Sequence, residues 1–357
     1  MSNIIQYKCP HCGGRVEFSS EAQKMKCPFC DSEFDIDEAI IEKEEKAEPV
    51  QAEESHTDLK TYICQSCGGE IVTEENTSAT SCPFCDNPII LSENVTGHFA
   101  PEQIIPFKIS KEEAKKLLLE HYKDKPYLPN NFKDENHLDE IKGIYVPYWI
   151  YNVAATVCAN YECRKNSTHR RQERDGYYEV TDSAVYDVMR KGVLQFKNVP
   201  ADASKKMDDK MMDSIEPFNF NEAKKFDTSY LSGFAADKYD ESSRDLEMRV
   251  KHRIEDGSNT PMDDTIVGYD IKHKLDSNIS FEQTKAPYYT LCPVWLLNTN
   301  FNGTNYRFAV NGQTGKMVGK LPSDPKKKAK LFFRDFAISG VIGIAAWIII
   351  LLIGGVL

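Results

Sequence analysis

"CPHCGGRVEFSSEAQKMKCPFC", Cys9 to Cys30, returns further along the chain as "CQSCGGEIVTEENTSATSCPFC", Cys64 to Cys85. Each copy is a C-x2-C pair, fourteen residues, and a second C-x2-C pair. A C-x2-C turn presents two thiolates to one ion, and two such turns joined by a hairpin complete a closed tetrahedral shell of four sulfurs. The spacing therefore assigns Cys9, Cys12, Cys27 and Cys30 to one metal site and Cys64, Cys67, Cys82 and Cys85 to a second. Gly13, Gly14, Gly68 and Gly69 follow the first pair of each copy, where glycine lets the chain turn back on the sulfurs. Four-thiolate sites leave no open position for water, so the metal's role is structural and catalysis is not expected.

Zinc is favoured over iron by the general use of closed four-cysteine sites and by the expected cytosolic setting, although a four-sulfur tetrahedron also suits iron. Rubredoxin-like iron knuckles share C-P-x-C but usually carry glycine next, where this chain has Asp31 and Asp86. A thioredoxin-like redox role fits less well, because each pair has a partner pair and no βαβ context surrounds it. These segments resemble zinc ribbons of the transcription-factor IIB class, a fold that serves nucleic acid and protein partners alike.

Charge separates those two kinds of partner. The 357 residues carry a net charge of -11, whereas nucleic-acid affinity comes mostly from Lys and Arg meeting phosphates. Between Tyr62 and Leu91 the second copy has Glu70, Glu74, Glu75 and Asp86 and no Lys or Arg. In the first copy, Lys8, Arg15, Lys24 and Lys26 are outnumbered by Glu17, Glu21, Asp31, Glu33 and Asp35. Protein recognition is the expectation, with a nucleic-acid-linked regulator as the alternative. Eight of the eleven cysteines lie in the four pairs; Cys158, Cys163 and Cys292 fall in apolar stretches and read as small buried hydrophobes.

The organisation expected is ribbon 1 at 1–37, an acidic linker at 38–60, ribbon 2 at 61–95, an α+β domain at 96–322 with antiparallel sheet and helices, a basic segment at 323–335 and a transmembrane helix at 336–357. The linker is rich in Glu, Ala and Lys and reads as a tether. "SKEEAKKLLLEHYKD" offers a capping box, Ser110 with Glu113, ahead of Ala114, Leu117, Leu118 and Tyr122 at helical spacing. Further helices are expected from Met207, Met211 and Ile215, and from Tyr239, Leu246, Val250 and Ile254. "IYVPYWIYNVAATVCANYE" and "GYYEVTDSAVYDVMRKGVLQF" read as strands, and Asn302-Gly303 and "NGQTG" mark the turns of a three-stranded meander ending near Leu321. "PYWIYN" and "PVWLLN" share P-x-W-x-x-N, which suggests two equivalent strands.

Phe336 to Leu357 is a run of twenty-two uncharged residues, about 33 Å as a helix against a hydrocarbon core of about 30 Å. Lys326, Lys327, Lys328, Lys330 and Arg334 precede it, and no basic run with an apolar segment opens the chain. By the positive-inside rule these features imply a single-pass protein of the cell membrane with cytoplasmic N-terminal domains. No H-E-x-x-H, P-loop or G-x-S-x-G occurs, so no enzyme is expected.

The ribbons, "IYVPYWIYN", "SYLSGFAADKYD", "CPVWLLN", "FAVNGQTGKMVGKLP" and the apolar run together resemble a bacterial, mainly Firmicute, family of YdjG-like double zinc-ribbon proteins, often labelled primosomal-helicase-like. The helicase label has no Walker-type loop to support it here. The resemblance extends over nearly the whole chain. It implies two structural zinc sites and a membrane-anchored adaptor that, with a second membrane protein, recruits an SPFH-like partner and through it a PspA-type remodelling protein.

Overall fold

Short strands frame the first cysteine repeat in the computed structural model, which describes residues 4–43, 59–64, 66–123, 125–130, 132, 138–173 and 176–353. β1 (Ile4–Lys8) leads into the first knuckle, β2 (Glu17–Ser19) and β3 (Lys24–Lys26) form the hairpin between knuckles, and β4 (Glu33–Phe34) leaves the second. β5 (Ile40–Lys43) returns along β1, so the expected tether begins inside the sheet, and residues 44–58 lie outside the described residues. The second repeat is built from β6 (Leu59–Ile63), β7 (Glu70–Glu74), β8 (Thr77–Ser81) and β9 (Pro88–Leu91).

After β10 (Gln103–Ile104) comes α1 (Lys111–Lys123), and it begins where the capping box places it. The backbone N–H of Ser110 donates to Glu113 Oε2 at 2.9 Å, that of Glu113 donates to Ser110 Oγ at 3.3 Å, and Ala114, Leu118 and Tyr122 are buried. Three long strands follow: β11 (Lys142–Glu173), β12 (Gly176–Asp202) and, later, β15 (Ile271–Phe301). Between the last two lie α2 (Asp209–Ile215), β13 (Lys224–Lys225), β14 (Ala235–Asp237) and α3 (Glu247–Asp264). β16 (Thr304–Asn311) and β17 (Met317–Gly319) complete the meander, with Asn302 and Gly303 both at positive φ in its first turn. α4 (Pro325–Ile353) is the last described element.

One sheet joins nearly everything. Its order is β13-β10-β15-β11-β14-β8-β9-β1-β5, with β12 on β11, β16 on β15 and β17 on β16. The two P-x-W strands are antiparallel neighbours in it, Tyr145 opposite Pro293 and Pro147 opposite Leu291. Trp149 donates to the Glu241 carbonyl at 3.0 Å and Trp295 to the Ile109 carbonyl at 2.9 Å, so both serve as packing anchors. The outer lengths of β11, β12 and β15 leave this body as an arm, and α3 covers one face of it, Val250, Ile254 and Met262 packing on Tyr151, Val153, Ala155, Val157 and Ala159.

Where arm meets body, Arg249 of α3 reaches Asp202 at 2.7 Å, Asp213 at 2.6 Å and Asp209 at 3.1 Å, while Arg253 reaches Glu216 at 2.5 Å. Burial pushes the Asp202 carboxyl up to about 6 even with the Arg249 guanidinium beside it. The cluster ties α2, α3 and the end of β12 together.

The expected fold class needs correction. Among the described residues sheet makes up 45% against four α-helices, so this is a predominantly β fold, not a balanced α+β one. The excess comes from polar strand: β15 begins at Ile271, well before the apolar residues that signalled it, and β11 continues to Glu173. The central helices also differ. α2 starts at Asp209, leaving Met207 outside, and α3 starts at Glu247, leaving Tyr239 in a preceding loop.

The transmembrane helix and the single-pass placement are corrected as well. Among the described residues, no helix is long and apolar enough to cross a membrane. Residues 354–357 of the expected span lie outside the described residues. The expected basic segment is the first part of α4, and it turns toward the body: Lys327 Nζ donates to the Leu128 carbonyl and to Asn130 Oδ1, each at 2.6 Å.

Candidate metal centres

The four cysteine turns share one backbone design. The N–H groups of Cys9 and Cys64 donate to the carbonyls of Gly14 and Gly69 at 2.8 Å, and those of Cys27 and Cys82 donate to Ser32 and Asn87 at 3.0 and 2.9 Å. Each loop closes through one left-handed residue. In the first pairs it is Gly13 (φ 70°) and Gly68 (φ 75°); in the second pairs it is Asp31 and Asp86, both at φ 54°. Aspartate tolerates that region better than most residues, which explains the residue after each C-P-F-C.

Within each repeat the four sulfurs lie within 4.8 Å of one another. A tetrahedron of thiolates bound at about 2.3 Å has S–S edges of about 3.8 Å. Cys9 to Cys30 measures 3.7 Å, Cys12 to Cys27 3.5 Å, Cys64 to Cys85 3.8 Å and Cys67 to Cys82 3.7 Å. All eight expected residues thus converge as two quartets that fit a metal ion, and what an ion supplies there is a cross-link between two knuckles. Cys9, Cys27, Cys64 and Cys82 are buried, while Cys12, Cys30 and Cys67 are exposed and Cys85 half-buried. Ligands on both sides of each quartet staple a core-facing turn to a solvent-facing one.

The sulfur environments divide each quartet. The Gly14 N–H lowers the Cys12 thiol, but hydrogen bonding with the Cys27 and Cys30 sulfurs pushes it up to about 12. Burial raises Cys64 and Cys85, the latter to about 12, while Cys30 and Cys82 are lowered. Ser32, through its hydroxyl and its N–H, brings the Cys30 thiol down to about 6. Burial opposes the same change at Cys82, yet the N–H groups of Phe84 and Cys85 bring it to about 7. His11 is exposed, and the Cys292 thiol, wholly buried, is pushed well above its ordinary value, in keeping with a packing role.

Two features escaped the sequence reading. Phe29 and Phe84 occupy the same place in their repeats and are each 68% exposed, large apolar rings displayed on the knuckles. The repeated "CPFCD" was the available signal. The other is Arg15, whose guanidinium donates to the Cys85 carbonyl at 3.1 Å and lies 5.8 Å from the centre of the Phe29 ring, bridging the two centres.

Outside the quartets, a cleft of about 550 Å³ opens beside the bulge at Asn152, bordered by Glu102, Lys197, Asn198, Lys285 and Tyr288. Neither Trp149 nor Trp295 lines it.

No protein-family model matches the chain, and no solved structure matches it. Among curated proteins, the uncharacterized protein YdjG of Bacillus subtilis (strain 168) is 34% identical over 355 residues, covering 99% of each chain. With both cysteine quartets assembled and a relative aligned from end to end, the chain belongs to the YdjG family.

Proposed function

We propose that this protein is a non-enzymatic adaptor in which two structural zinc ions hold ribbons that dock a protein partner, for which the family resemblance implies an SPFH-like protein. The observation that carries the reading is the surface of ribbon 2. Ile63 and Val72 share one face of the β6–β7 hairpin and are 57% and 58% exposed, and Phe84 stands on the second knuckle of the same repeat. Apolar side chains of that size, set among Glu70, Glu74 and Glu75 with no basic residue between Tyr62 and Leu91, suit a partial apolar interface with a basic rim on the partner. They do not suit phosphate.

The test is affinity capture with the full chain from its native cells, followed by binding measurements with the purified partner. Loss of binding in V72A/F84A, with zinc content unchanged, supports docking at ribbon 2. Equal binding in that variant and in C82S/C85S removes ribbon 2 from the function. Steeply salt-dependent DNA or RNA binding by the full chain would instead favour a nucleic-acid-linked regulator.

A further inference from the structure

Strand β12 lies at an edge of the arm. Among the described residues it pairs with β11 alone, and no strand lies on its other side; only its end is held, Pro200 by Arg253 and Asp202 by Arg249. Val188, Leu194 and Phe196 point to the face packed by α3, which leaves Val185, Asp187, Met189, Lys191 and Val193 on the opposite face. These five are exposed, with Val185, Met189 and Val193 at 57%, 65% and 63%. An open strand of this kind is a template for pairing with another strand, and proteins usually block it.

The order of these residues is the unusual feature: apolar, acid, apolar, base, apolar, with the charges reversed about Met189. Charges placed only to repel a second strand have no reason to invert about a centre. We propose that β12 pairs antiparallel with β12 of a second copy of this chain, about a two-fold axis at Met189. In that register Asp187 stands opposite the partner's Lys191, Lys191 opposite the partner's Asp187, and Val185 opposite the partner's Val193. A shift by two residues places Lys191 opposite the partner's Val185 or Met189 and breaks both ion pairs, so among registers that keep the same faces together this one alone pairs these charges.

Two further observations fit this occupant. Across β11, Asp187 faces Glu162, a like-charge neighbour, and Glu162 is already held by Arg164 at 2.9 Å. Asp187 and Lys191 form no ion pair among the described residues, and the partner supplies one for each. On the face of α3, a Cβ added to Gly192 would meet nothing within 4 Å. In this register that open space receives the partner's Tyr186, an aromatic laid over a strand glycine. Nine residues, about 30 Å of strand, would then join two sheets into one.

The test is the solution mass of the full chain by light scattering or sedimentation at micromolar concentration. The wild type is expected at twice the 40.6 kDa of one chain. D187K and K191D each set like charges opposite one another and should weaken association at least about tenfold. An equal mixture of the two restores opposite charges in a heterodimer, and so does the double variant D187K/K191D; both should recover the doubled mass. Circular dichroism of these exposed-site variants should match the wild type. A monomeric wild type overturns the proposal, and so does a dimer whose mass is indifferent to D187K and K191D.

Discussion

Ribbons 1 and 2 have the same ligand spacing, the same left-handed turns and nearly the same sulfur tetrahedra, yet they sit differently in the molecule. Ribbon 1 belongs to the main core: Cys9, Val16, Phe18, Met25, Cys27 and Phe34 pack in one cluster with Tyr145, Leu231 and Trp295. Ribbon 2 keeps a small cluster of its own, Tyr62, Cys64, Ile71, Cys82, Ile89 and Leu91 with Ile4 from β1. Two substitutions within the repeat account for much of this. Where ribbon 1 has Phe18 and Met25, the equivalent positions of ribbon 2 are Thr73 and Thr80. Phe18 meets the Tyr230 ring edge-on at 5.0 Å, and its N–H donates to the Ser232 carbonyl at 2.9 Å. Identical metal chemistry can thus act as a keystone in one place and as a local clip in another.

The largest effect expected from that difference comes from removing ligands at the exposed corners. Cys12, Cys30 and Cys67 are exposed and Cys85 half-buried, so serine there costs coordination with little packing. A structural zinc site contributes on the order of 10 kcal/mol, comparable with the whole stability of a domain at about 5–15 kcal/mol. C12S/C30S should lose one zinc by elemental analysis and the main cooperative transition in calorimetry. C67S/C85S should also lose one zinc but keep that transition, shifted to lower temperature. Equal losses in the two variants would mean that both centres are keystones.

At the substituted positions the expected effects are smaller and opposite in sign. F18A empties a site in the main core and should cost about 3–5 kcal/mol in denaturant unfolding. Thr73 Oγ1 is buried with no hydrogen-bond partner among the described residues, so T73V should be neutral or stabilising by up to about 1 kcal/mol. Destabilisation by T73V would show that ribbon 2 depends on that hydroxyl and is less self-contained than its packing implies.

Glycines in the first knuckles provide a control in which the ribbons should behave alike. A Cβ on Gly14 would come within 2.6 Å of the Phe29 ring and one on Gly69 within 2.4 Å of the Phe84 ring. Both rings are exposed at one side and can swing away, so G14A and G69A should each cost about 1 kcal/mol, read as a small fall in melting temperature. A much larger loss for one of them would locate a difference in the knuckles themselves.

How much of this was legible beforehand depended on whether the cause was local. Cysteine spacing, the Ser110–Glu113 capping box and the Asn302-Gly303 turn act within a few residues, and each appears where the sequence puts it. The start of α3 was misread although a local mark was present: Ser242 and Asp245 exchange backbone and side-chain hydrogen bonds at 2.8 and 3.3 Å, five residues before the helix. The outer half of β15 carried little such mark. Ile271 to Thr284 is mostly polar and exposed, and it is a strand because β11 lies beside it. Likewise the joining of ribbon 2 to the body through Ala79 opposite Ala236 is a tertiary event that no motif encodes. For the apolar run 336–357, composition and length alone suggested a span, whereas among the described residues no helix is long and apolar enough to cross a membrane.

Arg15 offers the smallest effect and the closest test of whether the ribbons communicate. It lies in ribbon 1 and donates to the backbone of ribbon 2 at Cys85, while its guanidinium also lies over Phe29 and 3.6 Å from Glu17. A single hydrogen bond of this kind contributes about 1 kcal/mol, so R15A should lower stability by about that amount. If the contact to Cys85 carries the effect, it requires an ordered second knuckle at the other end. R15A should then cost much less in the C67S/C85S background than in the wild type, a coupling that a double-mutant cycle measures directly. An undiminished cost in that background would place the role of Arg15 within ribbon 1, through Phe29 and Glu17, and leave the two metal centres independent.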